Sequence, residues 1–455
     1  MTDPVGVNTT AQNKVHKHWG PSFDEAKVWL RRFPYPYKAA IAICSDIDGT
    51  TTLERFLAIQ EFLNTRRDTL IGPGIGLEIG NSFFPYTPDD SFAYFSSRPA
   101  DREVIETLIK AGYVDCMHSY GDGARLRSDA LRALEELERS GCKLDVWVDH
   151  ARAPSNFGKD VTPGLGDVVG SPIYHADATL AYGIKFIWKG RTSSIVGHGV
   201  PFTCGSFMRL FDRAYPGCSV FNIIRELAKT ALACAGNRRF AIHCHNQLLR
   251  VAGLQDGQHV YEFKRCNNYW RGLSYGHDCA GLAYVIRHKT LADLIAAEGY
   301  MVIYTHLGVG LDRPPLIPLE TQTALQGLAE AYRAGDIYVT TTSRLLNYYL
   351  NHRYLQWSHE VDNEGWTRIT VHSMVDPLFG PRKPTLEELQ GITFYVPDRH
   401  RALLYLNGHL VPGIVRNPAD CIGRESISIP RTHLTYPLTM SQRTSFPMLR
   451  PVEAI

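Results

Sequence analysis

The chain contains no apolar run of the roughly eighteen residues that a membrane-spanning helix needs, so no span is expected. None of its ten cysteines forms a Cys-x-x-Cys pair, which removes zinc-ribbon and thioredoxin-like motifs. Several of them sit inside strand-like apolar runs (AICSD, VDCMH, IHCHN), where a free thiol behaves as a small hydrophobe. A basic tail is absent, no five like charges run together, and the net charge is only +2. The electrostatic footprint of a nucleic-acid binder is therefore missing, and a neutral or sugar-like substrate fits at least as well as a polyanion. The first twenty residues lack an apolar signal core, so the expected compartment is a reducing cytoplasm. No internal repeat or low-complexity tract occurs.

What is present is ordinary globular material: 455 residues, 44% hydrophobic and 21% charged, ample for two domains. Residues 1–35 read as a polar arm. From residue 36, strand-like and helix-like segments alternate roughly eight times. Strands are expected at KAAIAICSD (38–46), GLEIGNSFF (76–84), YVDCMHS (113–119), KLDVWVDH (143–150), IKFIWKG (184–190), RFAIHCH (239–245), YMVIYTH (300–306) and DIYVTTT (336–342). Helices are expected between them, such as the amphipathic TTLERFLAIQEFLN (51–64) and FNIIRELAKTALACAG (221–236). Such alternation predicts parallel βα units, in either a barrel or an open doubly wound sheet. Polar residues favour the barrel. Asp46, His118, Asp149 with His150, His243 with His245, and His306 all close strands, and a barrel brings such ends to one mouth. Residues 246–285 read as an insertion over that mouth. The short alternating segments after 355, with an Asn407-Gly408 turn signal, predict a small β-sandwich-like domain over 356–455.

The chemistry-bearing residues cluster at these strand ends. Asp46-Ile47-Asp48-Gly49-Thr50 leaves a buried-type strand with two carboxylates two apart, so one can bind a metal while the other takes a proton. His118-Ser119-Tyr120-Gly121-Asp122 offers an imidazole and a carboxylate, suited to Zn, Fe, Mn or Co. Asp149-His150-Ala151-Arg152-Ala153-Pro154 with Asn156 and Gly158 offers a guanidinium to orient a carboxylate or bind substrate. Thr305-His306 ends a late apolar strand.

In this order the pieces resemble the polysaccharide deacetylases of the carbohydrate-esterase type, over about residues 36–350. That resemblance implies a seven- or eight-stranded (β/α) barrel, a divalent metal ion (Zn, with Mn, Co or Fe as alternatives) and hydrolysis of a carbohydrate amide or ester. A deacetylase of surface-polysaccharide (lipopolysaccharide) biosynthesis is the activity implied. Asp48, His118 and Asp122 would hold the metal, Asp46 would be the general base and His306 the general acid. Arg152 would hold the base, with His150 and Asn156 toward the substrate. The chain departs from the family pattern at Ile47, which separates the two acids, and at Asp122, which stands where the family has a second His. His150 is therefore an alternative third ligand, with Asp122 behind it. The pentapeptide Asp46-Ile47-Asp48-Gly49-Thr50, with FSSRP at 95–99, also resembles haloacid-dehalogenase phosphatases, in which Asp46 would be a nucleophile. A carbohydrate-binding barrel without catalysis is the third reading.

Overall fold

The structure, a computed structural model, describes residues 28–87, 92–273, 275–309 and 316–437, apart from the Cys204 side chain. Most of the expected arm (1–27) and the last stretch of the chain (438–455) lie outside the described residues.

In chain order the elements are β1 (Trp29–Arg31), β2 (Ala39–Ser45), α1 (Leu53–Asn64), β3 (Gly80–Phe83), α2 (Pro99–Lys110), β4 (Val114–Met117), α3 (Arg127–Arg139), β5 (Val146–Val148), α4 (Ala176–Tyr182), β6 (Phe186–Trp188) and β7 (Thr192–Ser193). Then come α5 (Cys204–Met208), α6 (Pro216–Cys234), β8 (Leu249–Gly253), β9 (His259–Phe263), β10 (Arg265–Cys266), α7 (Cys279–Val285), α8 (His288–Ala297), β11 (Tyr300–Thr305), α9 (Leu319–Arg333), β12 (Ile337–Thr340) and α10 (Thr342–Tyr354). The C-terminal strands are β13 (Leu355–Val361), β14 (Thr367–Asp376), β15 (Gly380–Arg382), β16 (Thr393–Tyr395), β17 (Ala402–Leu406), β18 (His409–Leu410), β19 (Val415–Asn417) and β20 (Ser426–Ser428).

The central strand β2 shows why this sequence makes a layered α/β structure. All seven of its residues are buried, as a parallel strand covered on both faces requires. Ala40, Ala42 and Cys44 join one apolar cluster on the inner face. Ala39, Ile41 and Ile43 join another, formed with α1, α7, α8 and α9. The side-chain period of two thus gives each face of the strand its own layer. Helix α1 is started by Thr52, whose hydroxyl accepts a hydrogen bond from the Arg55 amide at 3.2 Å.

Strands β2, β3, β4, β5, β6 and β9 pair side by side and parallel, with β8 antiparallel to β9 at one end. On its other edge β2 pairs in parallel with β11 along the length of that strand. Strand β12 pairs with the first half of β2, below β3. In a flat sheet, β9 would stand five strand spacings, about 24 Å, from β2. Yet Arg265, at the start of β10 just beyond β9, makes a 2.8 Å ion pair with Asp46 at the end of β2. The sheet is therefore strongly curled. Among the described residues no ladder joins β10 to β11. One parallel bridge, Asp278 to His306, ties the segment after β10 to the end of β11.

The C-terminal strands form two small sheets. One is β13-β14-β17-β18 with β15 beside β14, and the other is β1-β16-β20-β19. Asn407-Gly408 makes the two-residue turn between β17 and β18, with φ of 53° and 85°. The arm does not stay apart, because its Trp29–Arg31 pairs with Thr393–Tyr395. The C-terminal region does not have a core of its own either. Its Ile369, Phe394 and Ile427 belong to one cluster with Leu346 and Tyr349 of α10 and the inner face of β2.

One expected strand is absent. RFAIHCH lies within a 3-10 segment, Arg238–Asn246, opened by Asn237, whose side chain accepts from the Arg239 amide. Its backbone kinks at His245 (φ 52°), so His243 and His245 do not share a strand face. The place in the sheet belongs to β9, inside the segment expected to be an insertion over the mouth.

The buried Arg265–Asp46 pair generates a stability prediction. Replacing Arg265 with Met removes the guanidinium from the buried Asp46 carboxylate and leaves it only His118, which should cost about 3–5 kcal/mol in urea unfolding. The exposed Arg271 replaced with Met should change stability by less than about 0.5 kcal/mol. Equal effects of the two substitutions would show that the pair does not hold the curl.

Candidate metal centre

The loop after β2 places its two acids in different environments. Asp46 is 2% exposed. Both its oxygens face the Arg265 guanidinium, at 2.8 and 3.2 Å. Arg265 is itself fully buried, flanked by the Trp188 and Tyr304 rings at 4.4 and 5.1 Å. Burial opposes ionisation of Asp46, but Arg265, and after it His118, outweigh burial and hold the carboxyl well below its ordinary range. Asp48 lies two residues on and is half-buried. Between Asp48 and Thr50 the chain turns at Gly49 with φ +70°. A Cβ there would come within 2.7 Å of Val309, so only glycine lets this loop lie against the loop carrying His306.

Three imidazoles turn the same edge toward Asp48. The Nε2 atoms of His150, His306 and His118 lie 2.8, 3.4 and 4.0 Å from its carboxylate oxygens. Each ring has its Nδ1 engaged by a different partner. Ser82 Oγ holds His118 at 2.9 Å, Asp122 holds His150 at 3.1 Å, and the His277 carbonyl accepts from His306 at 2.8 Å. Fixing one nitrogen fixes the direction of the other. Phe84 packs against both His118 and His150, with ring centroids 4.8 and 4.9 Å apart. The residues that follow these histidines, Ser119 and Ala151, have φ of 50° and 37°. For non-glycine residues this is strained backbone, of a kind concentrated at functional sites.

Asp48, His118 and His150 bring one ligand atom each within 4.8 Å of the others. A divalent ion ligated tetrahedrally at about 2.1 Å separates its donors by about 3.4 Å, so the set is of the right size. One oxygen of Asp48, Oδ2, is buried with no hydrogen-bond partner. A buried carboxylate oxygen without a hydrogen bond, facing imidazole nitrogens, has the chemistry to accept a cation. The residues fit a Zn-, Mn-, Co- or Fe-type ion.

Several expected roles are reassigned by these positions. Asp122 stands behind His150 on its Nδ1 side at 3.1 Å, and His150 turns its Nε2 toward Asp48, the arrangement in which His150 is the alternative third ligand. Arg152 is exposed and makes no ion pair among the described residues; the guanidinium on Asp46 belongs to Arg265. Asn156 is fully buried and spends its amide on the His150 backbone, accepting from the amide at 3.0 Å and donating to the carbonyl at 2.9 Å. It braces the loop and does not face a substrate. Asp149 is also structural, accepting from Trp147, Phe157 and Thr162. His245 is exposed and takes no part. Asp46 faces Arg265 and the Nδ1 side of His118, 3.5 Å away, and so lies on the far side of that ring from Asp48. The role of open-side base does not suit that position.

Sequence reading missed Arg265, Ser82 and Phe84. Arg265 could have been found, because Asp256-Gly257 between two alternating runs is a hairpin signal that places a strand, and then Arg265, beside the site. A separate cleft of about 550 Å³, lined by Tyr37, Glu78, Tyr332 and Arg431, lies at the opposite ends of the strands and does not touch this cluster.

Compared with known proteins, the chain matches no family model, no curated protein and no solved structure.

Metal titration checks the ligand set. In the metal-free protein, burial disfavours the charged His150 ring, but Asp122 and Asp48 outweigh it and push its pKa up to about 10. His150 is then protonated at neutral pH and must lose that proton to ligate. Zinc affinity should fall about tenfold per pH unit from pH 8 to 6, with one proton released on binding. His150→Ala should weaken zinc binding more than Asp122→Asn, for which a loss of about 10–100-fold is expected. Arg152→Ala should leave it unchanged. Calorimetry in buffers of different ionisation enthalpy reads all three, and an Asp122→Asn effect larger than that of His150→Ala would reverse the assignment.

Proposed function

We propose that the chain is a metal-dependent hydrolase acting on a carbohydrate amide or ester, built on a curled (β/α) barrel. The observation that carries this reading is the convergence of three Nε2 edges on Asp48, each imidazole locked from behind by its own partner. A divalent ion held by Asp48, His118 and His150 would supply Lewis acidity, polarising a carbonyl and favouring hydroxide over water at neutral pH.

The protein's own groups supply the rest. Asp46 and Arg265 form a fixed buried pair that holds His118 in register. His306 is the proton-transfer group. Its Nδ1 donates to the His277 carbonyl, which leaves Nε2 to take a proton from water and give it to the leaving group. Burial disfavours its charged form, but the nearby Asp48 and Asp46 outweigh burial and raise its pKa. That balance favours the acid form needed in the second half of the reaction. An N-acetyl sugar of surface-polysaccharide biosynthesis is the substrate suggested by the motif order described above; the compartment that goes with it is cytoplasmic. No helix among the described residues is long and apolar enough to cross a membrane.

The phosphatase reading needs a free Asp46 oxygen in line with phosphorus. Both oxygens here are committed to Arg265 in a side chain that is 2% exposed, which favours the metal hydrolase.

The test is acetate release from N-acetylated and O-acetylated oligosaccharides with Zn, Co or Mn added. We expect activity that a chelator abolishes, and that falls about 10²–10⁴-fold in His306→Ala while metal affinity is retained. Absence of metal-dependent release across the panel, or a beryllofluoride adduct on Asp46, would overturn the reading.

A further inference from the structure

Helix α6 is amphipathic in the wrong sense for a helix covered only by its own fold. Its polar residues point inward: Ser219, Asn222 and Glu226 are buried. Glu226 accepts from the Ser194 amide at 3.0 Å and from the Ser193 hydroxyl at 3.1 Å, and pairs with Lys229 at 2.9 Å. Arg225 donates to Ser194 Oγ at 3.3 Å. The outward face is apolar. Val220, Ile224, Leu227 and Ala231 follow at i, i+4, i+7 and i+11 and make one exposed stripe, widened by Phe221 and Leu232. Phe221 is 62% and Ile224 60% exposed. Of the three charged residues of this helix, Glu226 is buried, while Arg225 and Lys229 are half-buried, with the Arg225 guanidinium 5.7 Å from the Phe221 ring at the edge of the stripe.

The stripe has basic ends. Met208 and Phe211 are further exposed apolar residues just before the helix start. On the inner side, in register with Ser219 and Asn222, Tyr215 stacks on Trp270 at 4.2 Å, with the Arg271 guanidinium 4.4 Å over the Trp270 ring. Arg213 and Arg238 are exposed at the two ends and form no ion pair among the described residues. The only acids between residues 204 and 240 are Asp212 and Glu226, and both are neutralised, by Arg287 and Lys229.

We propose that this face lies in the surface of an anionic lipid membrane, with α6 parallel to the membrane plane. An exposed apolar helix face with exposed arginines at both ends and no free acid nearby matches the acyl boundary and negative headgroups of such a surface. A second copy fits less well. Antiparallel pairing of two α6 helices would bring Arg213 of each toward Arg238 of the other, with no unpaired acid in the segment to receive either. The inference does not depend on the reaction proposed above.

The experiment is co-sedimentation of the full chain with vesicles of phosphatidylcholine alone or mixed with phosphatidylglycerol. We expect binding to the mixed vesicles at about 0.05 M salt, and weaker binding at about 0.5 M. The double substitution Phe221→Ser and Ile224→Ser should lower partitioning at least about tenfold while zinc affinity stays unchanged. Arg213→Glu with Arg238→Glu should remove the preference for phosphatidylglycerol. No binding of the wild-type chain to mixed vesicles overturns the proposal. So does a dimer in sedimentation equilibrium that the Phe221→Ser and Ile224→Ser pair dissociates, if vesicle binding is absent.

Discussion

The buried ion pair between Asp46 and Arg265 is the constraint on which the rest of the site depends. A carboxylate that is 2% exposed cannot stay charged in an apolar interior without a matched partner. The fork of a guanidinium is that partner, and both of its hydrogen bonds are made. Because Arg265 follows directly on β9, five strands from β2 in sheet order, the pair also spans the curl of the sheet. Trp188 and Tyr304 flank Arg265, so little water is left to screen the charges.

From that anchor the site builds outward in layers. Asp46 and Ser82 bound the Nδ1 side of His118, Asp122 does the same for His150, and the backbone of His277 does so for His306. The chemistry at Asp48 is therefore set by groups that never touch it. Such preorganisation has a cost, visible in the left-handed backbone at Ser119 and Ala151. It is repaid in geometry, since three side chains from separate strand ends are aimed at one oxygen pair.

Part of this was legible in the sequence because buried parallel strands are written as apolar runs and their polar residues stand out. Asp46, Asp48, His118, His150 and His306 were all visible as strand-end exceptions. Which of them face which was not. Spacing left open whether Asp122 or His150 faces Asp48, because the two sit at adjacent strand ends and only side-chain direction decides between them. Arg265 was hidden for another reason. Its strand is only two residues long, and the hairpin before it lies in a segment rich in Tyr, His and Cys that resembles a loop. RFAIHCH misled in the opposite direction, since three alternating apolar residues are too few to distinguish a strand from a tight helical turn. The segment of α6 was legible as a helix, but the direction of its apolar face was not, because periodicity reveals a stripe without saying which way it points.

The most direct measurement is anomalous diffraction at the zinc edge from a crystal of the full chain grown with zinc. The account requires a peak within about 2.0–2.3 Å of Asp48, His118 and His150, with Asp122 hydrogen-bonded to the far nitrogen of His150 and not itself a ligand. A peak bound by Asp122 with His150 turned away, or zinc found only elsewhere on the protein, would contradict it.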